Sequence, residues 1–146
     1  LKSALERIEK LFRLTRRERH LLLYAWWLFL LVNPALRILP VTRLLPRGPA
    51  TGATGPLLAA DRIVWLVTVA SRYAPGRTTC LKDALVLVWL LRREGVEALV
   101  RIGVARNARG LKAHAWLEHD GRVIFGSPDD ETYEPLLSTV PTVRSS

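Results

Sequence analysis

Ala4, Leu5, Ile8, Leu11 and Phe12 recur at helical spacing, with Glu6, Arg7, Glu9 and Lys10 on the other side, so residues 3–14 predict an amphipathic helix. A basic cluster, Arg16, Arg17, Glu18 and Arg19, leads into the uncharged run LLLYAWWLFLLV, Leu21 to Val32. Those twelve residues would rise about 18 Å as a helix, short of the roughly 20 residues that a membrane span needs. The run therefore predicts a helix that is buried or faces a partner, with an in-plane position at a membrane surface as the alternative. Four prolines and three glycines between Pro40 and Pro56, ending in RGPATGATGP, predict a linker.

Helical patterning resumes from Leu57 to Tyr73, apolar on nearly every side, and stops at Ala74, Pro75 and Gly76. The next helix carries its own punctuation. Thr78 or Thr79 can cap it, Asp83 lies in its first turn, Arg92 and Arg93 in its last, and Gly95 just beyond. Its body, LKDALVLVWLL, is mostly apolar and predicts a central position. The period then changes to two. Val96, Ala98, Val100, Ile102 and Val104 alternate with Glu97, Leu99, Arg101, Gly103 and Ala105, the pattern of a strand with one buried face. A second strand is expected over residues 112–119 and a third over 122–125, joined by a tight turn at Asp120-Gly121. Helices first and antiparallel strands after predict an α+β fold. The expected division is a basic helical region over residues 1–45, suited to docking, the linker over 46–56, and the core over 57–146.

The chain has 146 residues with a net charge of +9. Residues 1–60 hold ten basic and three acidic side chains, so the surplus sits in the first part. Such a segment can meet an acidic peptide, an anionic membrane or nucleic acid. The last is disfavoured, because the basic residues lack interleaved exposed aromatics. One cysteine excludes an internal disulfide and, with three histidines, leaves little for a structural zinc site. No metal or cofactor is expected. A reducing, cytoplasmic compartment fits, with contact to a membrane surface through residues 21–32 as an addition.

Cys80 falls at the first turn of the central helix, where outward-pointing N–H groups and the helix dipole favour thiolate over thiol. The plainer reading is a small buried hydrophobe. His114 lies in the strand AHAWLE, on the same face as Trp116 and Glu118 and opposite Ala113, Ala115 and Leu117. A strand beside the helix would bring imidazole to thiol, which is what a nucleophile and its base require. Trp116 is expected to pack rather than line a groove. Glu118, His119, Asp130, Glu131 and the arginines at 16, 17 and 19 are read as solvated, and docking of a partner is the functional alternative for those arginines.

The strings TTCLKDALVLVWLLRREGVEALVRIGVAR (Thr78 to Arg106) and LKAHAWLEHDGRVIFGSPDD (Leu111 to Asp130) closely resemble the leader peptidase of lasso peptide biosynthesis, a family of the transglutaminase-like, papain-like superfamily. The resemblance implies a core in which the cysteine starts a central helix packed on a small antiparallel sheet. It also implies a cysteine peptidase that cuts the leader from a ribosomally made precursor before a separate cyclase closes the ring, and a separate leader-binding protein as partner. Cys80 then falls on the nucleophile and His114 on the general base and acid. The family places an aspartate twelve residues after the histidine, where this chain has Gly126. Asp129 is the substitute carboxylate expected here; a simple two-residue hairpin would instead put Ser127 opposite His114, and a backbone carbonyl is a further alternative. Gly126 also motivates a second reading, a non-catalytic scaffold subunit that binds the precursor.

Overall fold

Thr15 opens the first helix with a reciprocal cap. Its Oγ1 accepts the Glu18 N–H at 3.2 Å while a Glu18 carboxylate oxygen accepts the Thr15 N–H at 2.8 Å, so two donors at the helix start are satisfied together. The computed structural model describes residues 13–48, 50, 58–77, 79–107, 110–127 and 134–138. The helix expected over residues 3–14 lies outside them apart from Arg13 and Leu14, as does most of the expected linker. From the cap, α1 runs Arg16–Ile38, 23 residues with Pro34 inside it. Leu21 to Val32 is only its middle.

The length argument against a span therefore fails. At about 1.5 Å per residue α1 is roughly 34 Å long, and it is the one helix among the described residues long and apolar enough to cross a membrane, with mean hydropathy 1.6. The core helix of a globular domain meets the same criterion, and α1 has a packed side. Leu21, Ala25, Phe29 and Val32, spaced by four, four and three, are buried in the core that it shares with α3 and α4. Leu23, Trp27 and Leu31 form an exposed apolar stripe on the other side.

After α2 (Val41–Leu44), α3 spans Ala60–Tyr73 and α4 spans Cys80–Arg93. Nearly every body position of α4 is buried, from Ala84 to Val88 and at Leu90 and Leu91. It is the central helix that its composition predicts. The chain beyond α2 is pinned to it, because Trp89 Nε1 donates to the Leu44 carbonyl and Arg92 to the carbonyls of Arg47 and Gly48. At its end Val96 N–H reaches back to the Leu91 carbonyl across Gly95, whose φ of +80° only glycine adopts cheaply.

Strands β1 (Leu99–Asn107), β2 (Gly110–His119), β3 (Arg122–Phe125) and β4 (Glu134–Ser138) form an antiparallel sheet in the order β3-β2-β1-β4. β4 is a strand that the alternation pattern did not reveal. It pairs with the free edge of β1. The Asp120-Gly121 turn has positive φ at both residues (48° and 75°), the geometry that matches the twist of a two-residue hairpin. The return strand is not regular, however. Leu117 pairs with Phe125 but Glu118 with Val123, so Ile124 is an extra residue and both Ile124 and Phe125 pack against the core. The fold is α+β, as expected.

One residue read as solvated turns out to be paired. Arg17 forms an ion pair of 2.7 Å with Glu94, a buried carboxylate at the end of α4, so the start of α1 is tied to the end of the central helix. Glu18, also buried, pairs with Arg62 of α3. The bond from Arg62, and then that from the Thr15 N–H, hold the Glu18 carboxyl below its ordinary range, against the opposing effect of burial. A carboxylate depressed in the folded chain adds stability above its unfolded value and loses it as pH falls through the folded one. Glu18→Gln should thus lower the melting temperature at pH 7, and the gap should narrow as pH falls below the ordinary glutamate value, about 4.3, through the lower folded one. A calorimetric pH series checks this, and a constant gap down to pH 3 would contradict it.

Candidate active site

Cys80 is the first residue of α4, and Thr79 caps the helix, its Oγ1 3.5 Å from the Lys82 N–H. Thr78, the other expected cap, lies outside the described residues. The thiol is half-buried at the rim of the core. One turn on, Asp83 accepts from Ser71 Oγ at 2.7 Å, and burial pushes its carboxyl above the usual range. That contact ties the start of α4 to the end of α3.

The chain reverses at Gly95 and β1 returns along α4, which packs on β1 and β2. Fourteen helical residues cover about 20 Å, the length of roughly six strand residues. Counted from Leu99, that brings Cys80 level with Ala105, whose partner on β2 is Lys112, two residues before His114.

His114 lies opposite Gly103 of β1. Around it β2 is covered on both faces: Ala115 and Leu117 join the helical core, while Trp116 is buried on the side that it shares with His114. The His114 and Trp116 rings are near parallel, 20° apart with centroids 6.3 Å distant. Trp116 is held in turn, because its Nε1 donates to Glu118 Oε1 at 2.9 Å and Arg101 Nε donates to Glu118 Oε2 at 3.1 Å. The Trp116 bond first, and Arg101 after it, keep the Glu118 carboxyl below its ordinary range against the effect of burial. Packing is therefore the role of Trp116, as expected. Glu118 is not a solvated residue but the clamp on that ring. His119 is likewise engaged, Nδ1 lying 2.6 Å from the Glu97 carbonyl.

His114 Nε2 lies 2.9 Å from the carbonyl oxygen of Gly126. A carbonyl only accepts, so Nε2 donates, and in the neutral ring the lone pair sits on Nδ1. Asp129, the expected substitute carboxylate, lies outside the described residues. Among the described residues the Cys80 thiol and the imidazole are not hydrogen-bonded to each other. No cluster of three or more histidine, cysteine or acidic residues that could hold a metal ion occurs among them.

Sequence reasoning allowed a backbone carbonyl beside His114 without saying which; the structure places that of Gly126 there. Its signal was present only as a departure, a glycine where the resembling family has an acid. The bulge in β3 leaves no mark in the alternation.

No curated protein and no solved structure matches the chain. A family model does, over residues 21–138, from the second turn of α1 to the last residue of β4, and its description is the transglutaminase-like superfamily. Members of that superfamily are typically hydrolases or transferases built on a cysteine. The single cysteine at the start of the central helix, the antiparallel sheet packed beneath it and a match over most of its length establish that this chain belongs to the transglutaminase-like superfamily.

Proposed function

We propose that the protein is a cysteine peptidase that removes the leader from a ribosomally made lasso peptide precursor, with Cys80 as nucleophile and His114 as its base and acid. What supports the reading is a cysteine at a capped helix start and a histidine on a strand of the sheet against which that helix packs, in a chain of this superfamily. The motif strings around both residues add the substrate class.

The chemistry follows from the parts. Nδ1 of His114 takes the thiol proton, and the sulfur attacks the carbonyl at the junction of leader and core. Outward-pointing N–H groups at the start of α4, that of Cys80 among them, suit the oxyanion. The imidazolium gives its proton to the departing amine, which frees the core with a new amino terminus and leaves the leader as a thioester on Cys80. Water, deprotonated by His114, then releases the leader as a carboxylate and restores the thiol. The freed amine is what a cyclase needs to close a ring. The cyclase and a leader-binding protein are the partners of this reading. The exposed stripe of Leu23, Trp27 and Leu31, with Arg16 and Arg19 before it and Arg37 after, suits contact with an anionic membrane surface.

Incubation with a lasso precursor peptide, with and without a leader-binding protein, tests the reading by mass spectrometry. Release of leader and core at one junction supports it. A precursor that binds and stays whole favours the scaffold reading. A substrate-free check addresses the pair itself: iodoacetamide should alkylate Cys80 at pH 6.5 several-fold faster in the parent than in His114→Ala. Equal rates would mean that the imidazole does not act on the thiol.

A further inference from the structure

We infer that Trp26 and Asn33 are positioning residues for Cys80: from one flank of α1 they hold the segment that joins α3 to α4, and through it the first turn on which the thiol sits. The inference rests on the reading of Cys80 as nucleophile and adds to it the residues that fix where that nucleophile stands.

The joining segment has no regular structure to shape it. Its described residues, 74–77 and 79, lie in neither helix nor strand, and Ala74 packs against the core at its start. Side chains from outside take up its main chain instead. Trp26 Nε1 donates to the Tyr73 carbonyl at 3.0 Å, Asn33 Nδ2 to that of Pro75 at 3.3 Å, and Lys82 Nζ to that of Arg77 at 2.7 Å. Alternate carbonyls are thus held in turn, two from α1 and one from α4. The segment then ends on Thr79, the residue that caps α4, and Cys80 follows.

The sequence provides for this on both sides. Trp26 and Asn33 are seven residues apart, about two helical turns, so they share one flank of α1. An amide nitrogen has two hydrogens to give, and that of Asn33 also lies 3.3 Å from the Phe29 carbonyl. One side chain therefore ties the segment to a buried stretch of α1, where Ala25 and Phe29 enter the core with α3 and α4. Within the segment Pro75 fixes its own φ, and Gly76 turns the chain with φ +86°, a value that other residues rarely adopt. A Cβ on Gly76 would meet Asn33 Nδ2 at 3.8 Å, an ordinary contact, so the glycine serves the turn and the amide lies over it.

Surface hydrogen bonds of this kind add little to global stability, because water replaces them when they break. Their effect is on place. A helix start favours a thiolate through its outward-pointing N–H groups and its dipole, and it does so only while its first turn is held. Ser71, which donates to Asp83 at 2.7 Å, ties that turn to α3. Trp26 and Asn33 tie what precedes it to α1.

The test removes the two donors in the full-length chain and keeps the shapes. Trp26→Phe keeps an aromatic ring without Nε1, Asn33→Leu keeps the branch without the amide, and Asn33→Gln keeps the amide. Trp26→Phe/Asn33→Leu should lower kcat for leader release about tenfold with KM within about twofold of the parent, because the reacting groups are misplaced while substrate binding is untouched. Trp26→Phe/Asn33→Gln should recover most of that loss. Without substrate, iodoacetamide should alkylate Cys80 about threefold more slowly in the variant lacking both donors than in the parent at pH 6.5. The two rates should meet at about pH 9.5, where a thiol is ionised with or without help. The melting temperature should stay within about 3 °C of the parent.

Parent-like kcat and alkylation in the variant lacking both donors would overturn the inference. So would an equal slowing of alkylation at both pH values, which means lost access and not lost thiolate. A fall in kcat matched by a large fall in melting temperature would overturn it too, since the role would then be structural alone. If the parent cleaves no precursor and its alkylation at pH 6.5 still depends on the two donors, the peptidase reading fails and the positioning stands.

Discussion

Cys80→Ala is expected to abolish leader release, by at least about a thousandfold in kcat/KM, while the chain folds and binds precursor as before. The size follows from the chemistry: without sulfur no thioester forms, and only positioning and the oxyanion donors remain, which in comparable enzymes are worth far less than the nucleophile. The fold should hardly notice, because Cys80 is half-buried at the first turn of α4 and its cap is made by Thr79. His114→Ala should fall almost as far. The double variant should be little worse than either single one, since the two residues act as a unit. Single-turnover cleavage followed by mass spectrometry checks all three. A Cys80→Ala chain that still cuts would end the peptidase reading. Strictly additive losses would mean that thiol and imidazole work separately.

The second large effect concerns stability. Phe29→Ala is expected to cost about 3–5 kcal/mol and to lower the melting temperature by roughly 10 °C. Phe29 is 1% exposed at the centre of the α1 face that enters the core with α3 and α4. Against a total of about 5–15 kcal/mol for an ordinary domain, that loss is large. Trp27, two residues away and 60% exposed, gives the internal comparison. Trp27→Ala should cost about 1 kcal/mol or less, because the ring gives up little more than its edge contact with Trp26. Paired thermal denaturation curves read both. Equal effects would mean that α1 does not dock by this face, and with it would go the account of a helix that is long enough to span yet built into the core.

Much of the architecture was legible because it is local. The end of α4 could be placed from Gly95 and the arginines before it, since a left-handed residue is wanted at that point and little else supplies it. The Asp120-Gly121 hairpin followed from two residues that accept positive φ. Cys80 at a helix start and His114 on the face of Trp116 were both fixed by periodicity. The errors have an equally local cause. α1 was read as twelve residues because charge at Arg16 to Arg19 and Pro34 look like boundaries. A capping box and a tolerated proline carry the helix through both. β4 was missed because five residues containing Pro135 give no alternation long enough to recognise.

By itself, then, the sequence determined which residues could do chemistry and on what kind of element each would sit: one thiol at a helix start, one imidazole on a half-buried strand, and a basic, apolar helical lead. These follow from spacing and composition, which act over a few residues. Only the tertiary structure decided what surrounds them. The Gly126 carbonyl came to lie 2.9 Å from His114 Nε2, Glu118 became the clamp of Trp116, and Arg17 and Arg62 took buried carboxylates as partners. Apart from Trp116 and Glu118, two positions apart, such contacts join residues twelve to 77 apart in the chain, and they form because a packed interior must satisfy every polar group that it encloses, a demand that no short stretch of sequence can express.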